Sequence, residues 1–156
     1  MKIKFAEESD VQIILDLMHK AFQEYRNALP PSSALDETEE SILIDMSSGG
    51  KSLICYLNDQ PVGMVRYQVK ENSLYFYRLS VIPEMRGTGI AKKLISSLED
   101  IGTQERLTTI FCKVRATVPK NISLYRSIGY TIFDEEIVHR PNSSPILTYS
   151  MLKKLN

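Results

Sequence analysis

Leu79-Ser80-Val81-Ile82-Pro83-Glu84-Met85-Arg86-Gly87-Thr88-Gly89-Ile90-Ala91 is the stretch on which the fold turns. It reads as the end of a strand, a proline-led turn with two glycines, and the start of a helix. A helix start carries backbone N–H groups with no intrahelical partner and a partial positive charge. It therefore suits a phosphate. Gly87 and Gly89 allow left-handed backbone angles and let an anion approach the main chain with no side chain in the way. Ala91, in the first helical turn, is small, and Arg86 offers either a cation for the anion or a brace for the loop. Two other glycine turns are set aside by what is missing. A Walker A loop needs Gly-x-x-x-x-Gly-Lys-Ser/Thr. The dinucleotide fingerprint needs a third glycine where Lys92 stands, and a first βα unit near the start of a parallel sheet. Taken by itself, the segment is as consistent with a plain strand-to-helix connection as with an anion cradle.

Upstream, Lys2 to Phe5 predicts a short strand. Ser9 or Asp10 can cap the helix after it. In that helix Val11, Ile14, Leu15, Met18, Phe22 and Tyr25 recur at helical spacing. It should stop before Pro30-Pro31, with a loop to Asp36. A second helix is expected from Glu37 to about Met46, ended by Ser47-Ser48-Gly49-Gly50. Ser52–Leu57, Val62–Val69 and Leu74–Val81 then predict an antiparallel meander, with Leu53, Cys55 and Leu57 on one face of its first strand.

Downstream of the turn, Ile90, Leu94, Ile95, Leu98 and Ile101 give one apolar helix face. Thr109–Arg115 is a strand, and Asn121–Ile128 a short helix closed by Gly129. Tyr130–His139 and Ile146–Leu152 are the last strands. The order β-α-α-β-β-β-α-β-α-β-β predicts an α+β fold, a mixed sheet with helices packed on it. Residues 1–156 read as one domain.

Composition narrows the function classes. The chain has 156 residues, 43% hydrophobic and 24% charged, with formal net charge zero, as in an ordinary soluble domain. No basic excess points to nucleic acid or to an anionic membrane. No apolar stretch approaches membrane-spanning length, and Met1-Lys2-Ile3-Lys4-Phe5 is too short and charged for a signal peptide. A cytoplasmic location is the resulting expectation. Cys55 and Cys112 sit in apolar strand-like runs and read as buried, reduced thiols. Without CxxC spacing, and with His19 and His139 far apart, no metal site is expected. His19 reads as a boundary residue of the first helix, and Lys92-Lys93 as a solvated face with a weaker pull on nucleotide phosphates.

Arg86, Gly89 and Ala91, as Arg-x-x-Gly-x-Ala after an antiparallel meander, resemble the coenzyme A pyrophosphate loop of the GNAT superfamily of acyl-CoA-dependent N-acyltransferases. Leu79-Ser80-Val81-Ile82-Pro83 is similar to that family's lead-in. Asn121 to Tyr130, with Tyr125 four residues after Asn121 and Gly129-Tyr130 at its end, resembles the family's second signature. Two motifs in order, one helix and one strand apart, are far more specific than either alone. The resemblance spans the whole element order, and its specific residues lie between about Leu79 and Phe133.

The resemblance implies a mixed, centrally splayed sheet of about seven strands with about four helices. It implies acetyl-CoA as co-substrate, with the pantetheine arm between Leu74–Val81 and Thr109–Arg115. Leu79, Ser80 and Val81 would meet the arm and acetyl carbonyl through their backbone. Arg86, Gly87, Thr88, Gly89, Ile90 and Ala91 would hold the pyrophosphate, Asn121 the pantetheine, and Tyr125 would face the sulfur. Asn121 and Tyr125 share a helix face, four residues apart, although Asn121 would also serve as a helix N-cap.

The expected reaction is direct acetyl transfer to a primary amine of a small molecule or peptide. A backbone N–H near Val81 is the expected oxyanion donor, and Tyr125 the general acid. For the general base, Glu24, Tyr75 and Tyr77 are candidates. Each reads at least as well as an ordinary surface carboxylate or strand aromatic. The acceptor is expected between about Tyr25–Leu35 and about Ile137–Leu147. A non-catalytic coenzyme A sensor of the same fold is the alternative. A homodimer through the last strands is a further expectation, since edge strands invite partners.

Overall fold

The computed structural model describes residues 1–155. Its elements run β1 (Lys2–Phe5), α1 (Val11–Phe22), α2 (Glu39–Ser47), β2 (Lys51–Leu57), β3 (Gln60–Lys70), β4 (Ser73–Val81), α3 (Ile90–Gln104), β5 (Thr109–Arg115), α4 (Pro119–Ser127), β6 (Thr131–Val138) and β7 (Ile146–Lys154). The strand order is β1-β2-β3-β4-β5-β7-β6 in a seven-stranded sheet. The β1–β2, β2–β3, β5–β7 and β6–β7 pairs are antiparallel. Strand β4 meets β5 in parallel, with Ser73, Leu74 and Tyr75 opposite Thr109, Ile110 and Phe111. The sheet is therefore mixed, with four α-helices, as the element order predicted. Among the described residues no helix is long and apolar enough to cross a membrane.

Residues 1–68 and 76–98 form one compact unit. Its core gathers Ile14, Leu17 and Met18 of α1, Ala34, Ile42 of α2, Ile54 of β2 and Met64 of β3. Leu17 joins the apolar stripe expected for α1. The helix ends at Phe22, and Gln23–Tyr25 is a tighter 3-10 turn rather than a further α-turn. Helix α2 begins two residues later than the sequence suggested. Thr38 caps it: its hydroxyl accepts the Ser41 N–H at 3.2 Å, and the Ser41 hydroxyl accepts the Thr38 N–H at 2.9 Å. This reciprocal box fixes the first turn and leaves Glu37 outside the helix. Strand β2 is buried on both faces over Ser52–Cys55 instead of alternating. Ile54 joins the core with α1 and α2. On β3, Gly63 lies under Ile90 and Leu94 of α3.

Residues 69–75 and the described residues from 99 onward form the second unit. Leu74, Ile110, Cys112, Val114, Tyr130 and Met151 are buried in it. Helix α4 ends at Ser127, and Gly129 comes next but one at φ +100°, the left-handed position that a glycine supplies best. Both cysteines are free and buried, and burial pushes each thiol's pKa up, as expected of inert core thiols. Strand β6 is exposed along most of its length. Phe133, at its register shift, meets Phe111 edge-on, and Phe111 stacks on Tyr75 at 4.9 Å between centroids.

Candidate active site

The glycine turn lies in the first unit. After β4 a short 3-10 turn, Pro83–Met85, leads into an extended Arg86. Gly87 takes φ +77° and Gly89 φ +87°, angles costly for residues with a Cβ. The Gly89 carbonyl accepts the Lys93 N–H at 3.0 Å, which opens α3. Residues Arg86 to Gly89 are exposed. A Cβ added to Gly87 or to Gly89 would meet no atom within 4 Å. The main chain of this turn faces open space at a helix start, where N–H groups lack intrahelical partners. That arrangement fits a pyrophosphate. Ile90 behind it is buried, and the Thr88 hydroxyl donates to the Met85 carbonyl.

Arg86 is occupied as a brace. Its Nη2 donates to the Ala21 carbonyl at 2.8 Å, and its Nη1 lies 3.0 Å from Glu24 Oε2. The turn is thereby tied to the end of α1, and Glu24 is drawn into an ion pair. Two sequence candidates, one for the cofactor and one for the base, are thus each other's partner.

Within β4, Ser80 is buried, and its hydroxyl donates to the Arg78 carbonyl at 2.8 Å. Leu79 and Val81 are half-buried. The Ile82 N–H reaches the Val62 carbonyl at 3.0 Å.

Beside these residues lies an ionic network that sequence reasoning missed. Arg66 of β3, with a side chain only 4% exposed, reaches Glu37 at 2.7 Å and Asp45 at 3.1 Å. Arg78 donates through Nε to the same Glu37 oxygen at 2.7 Å and through Nη2 to the Ser33 hydroxyl at 3.1 Å. Tyr77 donates its hydroxyl to Asp45 at 2.7 Å, and Gln68 donates to the other Asp45 oxygen at 2.8 Å. The Arg66 guanidinium also sits 5.3 Å from the centre of the Tyr77 ring, within cation–π range. Burial alone would raise the Glu37 carboxyl, but the hydrogen bonds and charges of Arg66 and Arg78 outweigh it and hold its pKa down. The Tyr77 phenol is pushed up by burial and then by Asp45. An arginine inside the apolar run Val62-Gly63-Met64-Val65-Arg66-Tyr67 was the available signal. A charge buried on a strand requires partners.

The second unit holds the other candidates. Asn121 is the third residue of α4, whose N-cap is Val118 with Pro119 at the first helical position. The N-cap reading of Asn121 is thereby corrected: proline at the first position starts the helix two residues earlier. Tyr125, one turn on, is buried, with its ring 6.1 Å from that of Tyr130. The Tyr130 hydroxyl donates to Glu99 at 2.8 Å, and Lys153 lies 3.2 Å from the other Glu99 oxygen. Burial, reinforced by Glu99, pushes the Tyr130 phenol up. Tyr130 is a fixed wall for Tyr125. No group of three or more metal-ligating side chains occurs among the described residues.

Comparison with known proteins bears on the fold and the family. A search of curated sequences returns no significant match. Solved structures do match across nearly the whole chain. The ribosomal-protein-S18-alanine N-acetyltransferase of Escherichia coli superposes with TM-score 0.81 at 17% identity, covering 99% of this chain and 93% of that one. The ribosomal-protein-alanine N-acetyltransferase of Brucella melitensis gives 0.79 at 20% identity, covering 99% and 100%. A phosphinothricin acetyltransferase of Sinorhizobium meliloti, solved with acetyl-CoA, gives 0.78 at 17%, covering 99% and 88%. At such identities the likeness establishes the fold. The family model described as "Acetyltransferase (GNAT) family" matches residues 14–130. With three quarters of its length inside that match, the chain belongs to the GNAT family of acetyltransferases.

Proposed function

We propose that the chain transfers an acetyl group from acetyl-CoA directly to a primary amine of a small molecule or peptide. The observation that carries the reading is the exposed turn at Gly87 and Gly89, left-handed at both residues, in a chain of this family. Bound acetyl-CoA supplies the activated acetyl group as a thioester. Backbone N–H groups of Gly87 to Ala91 hold the pyrophosphate, with Arg86 keeping the turn in shape from its place on α1. Leu79, Ser80 and Val81 offer backbone groups to the pantetheine arm and the acetyl carbonyl, and Asn121 offers its amide to the arm.

Tyr125 gives its phenolic proton to the departing sulfur. A phenol of ordinary pKa about 10 can protonate a thiolate of pKa about 8.5. The amine must lose a proton before or during attack. Glu24, paired with Arg86, is poorly placed to take it. Tyr75 and Tyr77 are the other candidates for the base; the Tyr77 hydroxyl is held by Asp45, which is itself paired with Arg66.

Thermal melting tests the cofactor assignment, since a ligand that binds the native state raises its stability. Acetyl-CoA is expected to raise the melting temperature where ATP and NAD do not. Stabilisation by ATP or NAD instead would end the reading. Release of free thiol from acetyl-CoA across a panel of amines then identifies the acceptor.

A further inference from the structure

Tyr77 and Arg78 are neighbours in β4, yet both side chains reach the segment that runs from Ser33 into α2. Tyr77 bonds Asp45, and Arg78 bonds Glu37 and Ser33. In a regular strand, neighbours point to opposite faces. Arg78 breaks that rule by adopting φ +56°, the left-handed region that residues with a Cβ rarely occupy. The strand leaves extended geometry at that residue, and such a local kink re-aims the residues beyond it. The Arg78 carbonyl accepts from the Ser80 hydroxyl. Beyond the strand, the Ile82 N–H donates to the Val62 carbonyl of β3 at 3.0 Å.

Backbone strain of this kind lasts only where the surroundings over-determine it. Here they do. The Glu37 oxygen that holds Arg78 Nε is itself held by Arg66, and Arg66 is anchored a second time by Asp45. The other Glu37 oxygen accepts from the Ser41 hydroxyl at 3.2 Å. Ser33 grips the far end of the Arg78 guanidinium.

We propose that Arg78 is a positioning residue for acetyl transfer: clamped by Glu37 and Ser33, it holds β4 in a left-handed kink and so fixes the backbone of Leu79, Ser80 and Val81. The role in transfer rests on the acetyltransferase reading above. The clamp also pins the segment ahead of α2, expected to line the acceptor site, to the strand expected to meet the acetyl group.

Two substitutions at one position separate backbone from guanidinium. Arg78→Ala removes the clamp and keeps a Cβ, so nothing opposes the strain. Arg78→Gly removes the clamp and the strain together, since glycine takes positive φ freely. Arg78→Ala is expected to lower kcat at least about tenfold, with KM for acetyl-CoA changed by less than about twofold, as for loss of an interaction made in the transition state. Arg78→Gly is expected to recover kcat to within about threefold of the parent. In thermal melting, with no substrate present, Arg78→Gly should melt above Arg78→Ala.

Equal kcat losses in both variants would assign the effect to the guanidinium itself and overturn the proposal. So would an Arg78→Ala protein with parental kcat. An Arg78→Ala protein that melts at or above Arg78→Gly would show that the residue is not held left-handed, whatever the turnover. If the parent acetylates no amine, the transfer reading falls and takes the catalytic role of Arg78 with it, while the melting order still judges the clamp.

Discussion

Arg86 Nη1 lies 3.0 Å from Glu24 Oε2, so the arginine of the glycine turn is neutralised by the last stretch of the α1 region. Both side chains are about one-third exposed, and an ion pair at such a site contributes little to stability, about 0–1 kcal/mol. Its value lies in geometry. Arg86 holds the turn by two bonds, and the one to the Ala21 carbonyl does not involve Glu24. Glu24→Gln is therefore expected to change kcat by less than about fivefold, far from the hundredfold or more that loss of a general base costs. Steady-state kinetics with the acceptor found in the amine panel checks this. A hundredfold fall in kcat at constant KM would restore Glu24 as the base.

On the proposed mechanism, Tyr125 is the residue that separates an enzyme from a sensor. Its ring is packed beside Tyr130, which Glu99 and Lys153 hold in place. Replacing Tyr125 by phenylalanine keeps the ring that makes this contact. Tyr125→Phe is expected to lower kcat by about 10²–10⁴, with the dissociation constant for acetyl-CoA changed less than about threefold, because the hydroxyl is asked to act on the departing sulfur. Turnover paired with calorimetric titration checks the split. Parental turnover in Tyr125→Phe would remove the residue from the mechanism.

Element order, the glycine turn and the Asn121/Tyr125 helix were legible because each depends on local signals. Pro83, Gly87 and Gly89 dictate a turn by their own φ preferences, and Ile90, Leu94, Ile95 and Leu98 mark a face by period. The network of Arg66, Glu37, Asp45, Tyr77 and Arg78 was not legible. Its members come from β3, β4, α2 and the segment leading into α2, and no local rule pairs residues 21 to 41 positions apart. The same holds for Arg86 and Glu24, 62 residues apart in sequence. Burial of β2 on both faces was hidden for a related reason. An alternating strand can still be covered twice when helices lie on both sides.

The charge network predicts a pH dependence of stability. Glu37 titrates below its ordinary value of 4.5 in the folded chain. Burial works against this, and Arg66 and Arg78 win. A carboxyl with a depressed folded pKa binds its proton more readily when unfolded, so its stabilisation is present above the unfolded value and is lost as pH falls through the folded one. The parent should therefore lose stability steadily from about pH 4.5 downward. Glu37→Gln should be less stable at pH 7, where Arg66 and Arg78 lose their shared anion. The gap between the two proteins should narrow toward pH 3. Urea unfolding at several pH values measures it. A gap that stays constant or widens on acidification would contradict the assigned ion pairs.

Gly63 is a β3 residue outside the left-handed region, so Gly→Ala there would be expected to stabilise by about 0.4–1 kcal/mol through the unfolded chain. Packing predicts the opposite sign. An added Cβ would stand 2.9 Å from Ile90 Cγ2, 3.0 Å from the Ser80 carbonyl oxygen and 3.4 Å from Leu94 Cδ1. Ile90 is buried at the start of α3, and the Ser80 oxygen belongs to the backbone of β4, so neither can yield cheaply. Overpacking a core of this kind costs about 1–3 kcal/mol. Ile90 is bonded directly to Gly89, so the same push moves the turn proposed above to hold the pyrophosphate. Gly63→Ala is expected to lower the urea midpoint at unchanged slope and to weaken acetyl-CoA binding together with it. A variant that unfolds at or above the parental midpoint would mean that α3 stands further from β3 than these distances require, and that the turn is not seated on Gly63.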